Sequence, residues 1–212
     1  METTPSLPSN YSKYTLLEPS KHPSFIIGAV VTGIALLLIS GWLAVLFVNT
    51  LRPSALDGMR LRDLFVSTGS GTYLSIPLAL FRDFAIAFIA VLFIHELVHG
   101  LFYWLFSRQR PRFGLQGLFP YAAAPGGIYF PRNQFLAIGL APLVLLTVIG
   151  LLLMMIVPIS LVPFLLFFVV INVSGAAGDL IMVIRLMLFP SDVLMEDNDA
   201  GVIIYGPNRN AA

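Results

Sequence analysis

The sequence predicts an all-α polytopic membrane protein of about four transmembrane helices, with a small hairpin or re-entrant element between the second and third. Three observations carry that expectation. Of the 212 residues, 58% are hydrophobic and 11% are charged, against about 25% charged in ordinary soluble chains. Four windows, residues 24–49, 83–106, 135–157 and 161–189, are apolar over the roughly 20 residues that a bilayer-spanning helix needs. What lies outside them is short: an N-terminal tail over residues 1–23 and a C-terminal tail over residues 190–212 flank a membrane domain over residues 24–189.

The first window, SFIIGAVVTGIALLLISGWLAVLFVN, is too long for a signal-peptide core and has no small-residue cleavage site behind it, so it reads as a retained helix. In the loop that follows, ALDGMRLRDLF (residues 55–65) suits either a short interfacial helix with its arginines toward lipid phosphates or a solvated loop. The loop after the second window, RPRFGLQGLFPYAAAPGGIYFPR, is too broken by Gly and Pro for a helix and too apolar for disorder. Its two extended runs, FGLQGLF and GGIYF, suit a small hairpin at the membrane face. Such backbone persists at membrane depth only when buried in protein or lining a wet cavity. The tail SDVLMEDNDAGVIIYGPNRNAA reads as a short, partly ordered extension.

Charge gives the orientation. Four spans place both termini and the 107–134 loop on one side, with Lys13, Lys21, Arg108, Arg110, Arg112, Arg132, Arg185 and Arg209, against Arg52, Arg60, Arg62 and Arg82 on the other. The positive-inside rule then puts both termini in the cytoplasm. A net charge of +1 gives no sign of a nucleic-acid partner, and the absence of cysteine excludes disulfides and thiolate ligands. Any metal must be held by histidine and carboxylate.

The second window contains FIHELVHGLFYW, with two of the chain's three histidines. His95 and His99 are four apart and project from one helical face. With Glu96 they form H-E-x-x-H, in which two histidines bind zinc and the glutamate is general base toward water acidified by the metal. A carboxylate near mid-membrane costs roughly 2.5 to 3.5 kcal/mol even on insertion scales, so an ionisable residue there reads as functional. Polar cross-linking of helices is the plainer alternative.

A catalytic zinc of this type takes a third protein ligand and keeps one position open. Apart from Asp83 at the edge of the second window, the remaining carboxylate in the spans is Asp179. The second and fourth spans run in the same direction, and the motif and Asp179 lie about 15 and 16 Å from the matching helix ends at 1.5 Å per residue. They therefore share one level. A salt bridge from Asp179 to Arg185 is the alternative, but a separation of six is not a helical neighbour spacing. Asn172, seven residues before Asp179, is placed either to donate to a substrate oxyanion or to hydrogen-bond a neighbouring helix. The small run from Ser174 to Gly178 suits close helix packing.

HELVHG, the Gly/Pro-rich loop, Pro142 in the third span and the Gly178-Asp179 step together resemble the bacterial and archaeal putative zincin peptidase family of unknown function, itself similar to the site-2 protease group of intramembrane zinc metalloproteases. The resemblance covers most of residues 80–205. It implies a prokaryotic plasma membrane, His95, His99 and Asp179 as zinc ligands, and Glu96 as catalytic acid/base. Site-2 proteases carry prolines after the asparagine and an Asp-Gly step, whereas NVSGAAGDL has no proline and places Leu180 after Asp179. That departure touches the role of Asn172 more than the metal ligands.

The expected function is an intramembrane zinc metalloprotease with one Zn2+ per chain, cleaving a transmembrane or membrane-proximal protein substrate. A non-hydrolytic zinc-binding transporter or scaffold is the alternative. A transporter should show a ladder of ionisable residues, and a scaffold has no need of Glu96. Because a transmembrane helix hides its peptide groups, a protease must capture an unwound strand, and main-chain pairing does so with little sequence demand. Gly117, Phe119, Tyr121, Ile128 and Tyr129, within residues 113–131, are the candidates for such a clamp; a purely structural hairpin is the alternative.

Overall fold

A computed structural model of the chain describes residues 2–57, 64–69, 71–198 and 201–208. Four helices are long and apolar enough to cross a membrane. They are α1 (Pro23–Leu51), α2 (Leu78–Ser107), α3 (Arg132–Ile156) and a fourth interval divided into α4 (Val162–Gly175) and α5 (Ala177–Met187). Prolines in the first turns of α1 and α4 fix φ where a helix has no use for the N–H, and α2 stops at Arg108 in the left-handed conformation, φ 56°. Outward residues are apolar, with Ile27, Leu38 and Trp42 of α1 each more than half exposed. So broad an apolar surface is one that hydrocarbon, not water, would cover. The proposed interfacial helix falls partly on residues 58–63, outside the described residues; a 3-10 turn at Pro53–Leu56 precedes them.

The fourth span is not continuous. Ala176 has φ −72° and ψ 6°, and its N–H is shared between the carbonyls of Asn172 and Ser174. A Gly/Ser step is a common origin of such a break. Within the small run, Ala176 and Ala177 are buried, and Gly33 of α1 lies 3.4 Å (as its ideal Cβ) from the Ser174 carbonyl oxygen. The close packing expected of this run is thus made by its alanines; a Cβ on Gly175 or Gly178 would meet nothing within 4 Å. The break starts a new helix just before Asp179, which sits in the first turn of α5, where the helix dipole favours an anion.

The all-α expectation needs correction, because the mostly helical chain also carries sheets. Strands β1 (Tyr11–Leu17), β6 (Phe130–Pro131), β7 (Leu194–Asn198) and β8 (Gly201–Pro207) form an antiparallel sheet in the order β1-β8-β7-β6. The β-branched run Val202, Ile203, Ile204 and the pair Leu194, Met195 are buried. Of these, Met195, Val202 and Ile204 join Tyr103 of α2, Ile138 of α3 and Leu186 of α5 in one apolar cluster. A second cluster, including Val48, Val91, Leu146 and Val169, binds α1 to α4 together. Both tails are therefore built into the fold next to the helix ends.

Between α2 and α3 lies a hairpin of β4 (Arg112–Gln116) and β5 (Phe119–Ala123). Its two-residue turn has Gly117 at φ 65°, a conformation such turns require. The first expected extended run is in this hairpin; the second is not. Phe130 and Pro131 pair with β7, while Tyr129 exchanges both backbone hydrogen bonds with Thr4, at 2.9 and 3.0 Å. A further small hairpin, β2 (Phe65–Thr68) with β3 (Gly71–Leu74), lies between α1 and α2.

Candidate metal centre

Three side chains of α2, His95, His99 and Tyr103, follow one another at one-turn intervals on the inward face, all buried. Opposite them stands Asp179 of α5. Its Oδ2 is 3.1 Å from His95 Nε2 and 3.6 Å from His99 Nε2. The three ligand atoms lie within 4.8 Å of one another, close enough to hold one metal ion. Arg185, the alternative partner for Asp179, instead stacks over Phe25 of α1, 5.3 Å from its ring centre.

The other ring nitrogens say which way each imidazole faces. His95 Nδ1 is 3.1 Å from Asn172 Oδ1 and His99 Nδ1 is 3.0 Å from the Ile138 carbonyl oxygen. Both partners only accept, so each Nδ1 is the N–H donor and each ring turns its Nε2 toward the Asp179 oxygen. With Nε2 unprotonated on both rings, three acceptors converge at this point. A cation relieves that convergence, and two imidazole nitrogens with one carboxylate are a donor set zinc accepts. The second bond of each ring fixes its tautomer and aim.

Asn172 is fully buried behind His95. Its Nδ2 donates to the Pro142 carbonyl and to Thr147 Oγ1, each at 3.2 Å. Both amide hydrogens are engaged, which places Asn172 as an orienting partner of His95 rather than as a donor to an oxyanion.

Glu96 is half-buried on the flank of α2, and its Oε2 accepts the Ala122 N–H at 2.7 Å. The next outward donor of the same strand edge, Ala124 N–H, is held at 2.8 Å by Asp197 Oδ2 of β7. Ala122 lies opposite Phe113 in the hairpin register, and since its N–H leaves the hairpin, β5 turns its outer edge toward the metal ligands. Glu96, His99, Tyr103, Asp179, Met182 and Asp197 line one cavity of about 190 Å³. The Tyr103 hydroxyl also bonds Asp197. Gly100 lets the hairpin come this near: a Cβ there would lie 2.3 Å from Phe113 Cζ.

Of the expected clamp residues, Gly117, Phe119 and Tyr121 belong to the β4-β5 hairpin. Ile128 and Tyr129 do not: Ile128 is 3% exposed within the apolar cluster, and Tyr129 is paired with Thr4. Sequence reasoning missed Tyr103 and Asp197. Tyr103 was accessible, one turn beyond His99 on the same stripe; Asp197 reaches the cavity through strand pairing and leaves no local signal.

The fold and site define a mostly helical protein, apolar enough for a membrane, with a His-His-Asp triad able to hold a metal ion beside strands. Residues 88–194, half of the chain, match the family described as putative zincin peptidase, and the chain belongs to that family. The family indicates a zinc metallopeptidase. No curated protein and no solved structure matches the chain.

Proposed function

We propose that the chain is an intramembrane zinc endopeptidase, with one zinc held by His95, His99 and Asp179 and with Glu96 as general base. It hydrolyses a peptide bond of a transmembrane or membrane-proximal substrate. The observation that carries this reading is the convergence of His95 Nε2, His99 Nε2 and the Asp179 oxygen, with His99 and Asp179 lining one cavity together with Glu96. When bound there, zinc supplies a Lewis acid that polarises a carbonyl and brings the pKa of water to about 7. Glu96 takes the proton from the attacking water and returns it to the leaving amine.

The strand edge supports a way of holding substrate. Ala122 of β5 and Ala124 just beyond its end present outward donors, and carboxylates hold both. An unwound substrate segment adding to this edge takes over the Ala122 N–H, and Glu96 is thereby released to water. Substrate capture and liberation of the base become one event, with Phe119 and Tyr121 in the capturing strand and Gly117 forming its turn. By the charge bias, the sheet that carries both tails faces the cytoplasm.

Zinc content and cleavage of a membrane-peptide library, compared between wild type and Glu96→Gln, test the reading. Wild type should hold one zinc per chain and cleave; Glu96→Gln should hold zinc and not cleave. Full zinc occupancy in a His95→Ala/His99→Ala double variant would remove the site. Zinc-loaded wild type that cleaves no better than Glu96→Gln would remove the reaction.

A further inference from the structure

α3 carries a proline, Pro142, well inside its span. A proline has no N–H, so the carbonyl four residues earlier loses its helical donor. Here that residue is Ile138, and its carbonyl oxygen is the one that accepts His99 Nδ1–H at 3.0 Å. Ile138 is 2% exposed, and a buried carbonyl needs a partner. The carbonyl set free by Pro142 and the nitrogen that must be fixed in His99 satisfy each other.

The segment is also held in place. A Cβ on Gly139 would lie 2.9 Å from Val183 Cγ2, so α3 presses against α5, the helix of Asp179, one residue after the carbonyl in question. The carbonyl oxygen of Pro142 itself accepts from Asn172 Nδ2, and Asn172 Oδ1 receives His95 Nδ1–H. One turn of α3 thus supports both histidines, His99 directly and His95 through Asn172.

We infer that Pro142 is a positioning residue of the metal centre: by withholding a helical N–H it reserves the Ile138 carbonyl for His99, which then presents Nε2 toward Asp179. The inference rests on the metal site proposed above. Returning an N–H with Pro142→Ala gives the Ile138 carbonyl a competing donor inside its own helix. Loss of the orienting partner of a histidine ligand weakens metal binding by about 10- to 100-fold.

The test measures zinc affinity by competition with a chromophoric chelator in detergent, for wild type, Pro142→Ala and Pro163→Ala, the last a proline in the first turn of α4. Circular dichroism and size-exclusion chromatography monitor the fold. Pro142→Ala should bind zinc about 10- to 100-fold more weakly and show a changed His99 Nδ1 resonance in the metal-free protein, while Pro163→Ala changes neither. Equal zinc affinity with an unchanged His99 resonance in folded Pro142→Ala overturns the inference. If Pro142→Ala does not fold, wild type labelled with 15N-histidine and 13C-carbonyl isoleucine decides, the Ile138 signal being assigned by Ile138→Val. Magnetisation transfer between His99 Nδ1 and the Ile138 carbonyl is expected, and its absence overturns the inference. Wild type that binds no zinc refutes the metal site instead, and the labelled spectrum still reads the hydrogen bond separately.

Discussion

Replacing Asn172 with alanine separates two roles that one buried amide can play. Asn172 makes three hydrogen bonds, at 3.1 Å to His95 Nδ1 and at 3.2 Å to the Pro142 carbonyl and to Thr147 Oγ1. At about 1 kcal/mol net for each bond, the loss of all three destabilises the protein by roughly 3 kcal/mol. His95 also loses the acceptor that holds its Nδ1–H, and zinc affinity should fall by about 10- to 100-fold, or about 1.4 to 2.8 kcal/mol. Asn172→Asp keeps an oxygen facing His95, so its zinc affinity should stay nearer to wild type although the two donors are lost. Chelator competition gives the affinities, and cleavage at saturating zinc gives kcat. An oxyanion donor behaves in the opposite way: its removal lowers kcat by about 10²- to 10³-fold and leaves the metal in place. Unchanged zinc affinity together with such a fall in kcat would refute the orienting role.

Other outcomes follow from the same geometry. Ala122→Pro deletes the donor that faces Glu96 without touching the β4-β5 ladder, so zinc and fold should persist while cleavage falls by more than about tenfold, the equivalent of one good hydrogen bond; an unchanged cleavage rate would exclude the β5 clamp. Gly201→Ala should lower the melting temperature, because φ is 148° and a Cβ would lie 1.9 Å from the Leu17 carbonyl oxygen; backbone strain of this kind costs roughly 1 to 3 kcal/mol, and a wild-type melting curve would contradict the pairing of β1 with β8. Single cysteines introduced at Lys13 and Asn208 in this cysteine-free chain should react with an impermeant reagent from the same side of the membrane, and one at Thr72 from the other. Opposite labelling of Lys13 and Asn208 would contradict the sheet.

The meeting of His95, His99 and Asp179 was legible because its signals are local or nearly so. Two histidines at helical spacing define one stripe, and depth counted from the helix ends brings Asp179 level with them. The β4 strand was also legible, because the Gly and Pro that recur through its loop break a helix while its apolar residues argue against disorder. Its partner was not: FPYAA contains a proline and two alanines, whereas GGIYF has the stronger strand composition, and tertiary pairing with Thr4 and β7 claimed it. The four-stranded sheet was illegible for a simpler reason. Tyr11 pairs with Pro207, so β1 finds its neighbour across almost the whole chain, and neither YSKYTLL nor GVIIYGP alone buries enough surface to announce a strand in a sequence dominated by hydrocarbon-length runs.

That same pairing sets the order in which the molecule can be assembled. α2, with both histidines, is synthesised and available for insertion well before Asp179, and Asp179 well before β8. Yet β1, the first strand made, has no neighbour until β8 arrives, and β7 gains its long partner at the same moment. Contacts of such sequence separation form slowly and late. Asp197, which holds Ala124 and faces the cavity, reaches its station only with that closure. The histidine stripe is thus an early product of biogenesis, and the walled chamber around it is a late one. A nascent chain carries the histidines and Asp179 before it has the strand-lined enclosure.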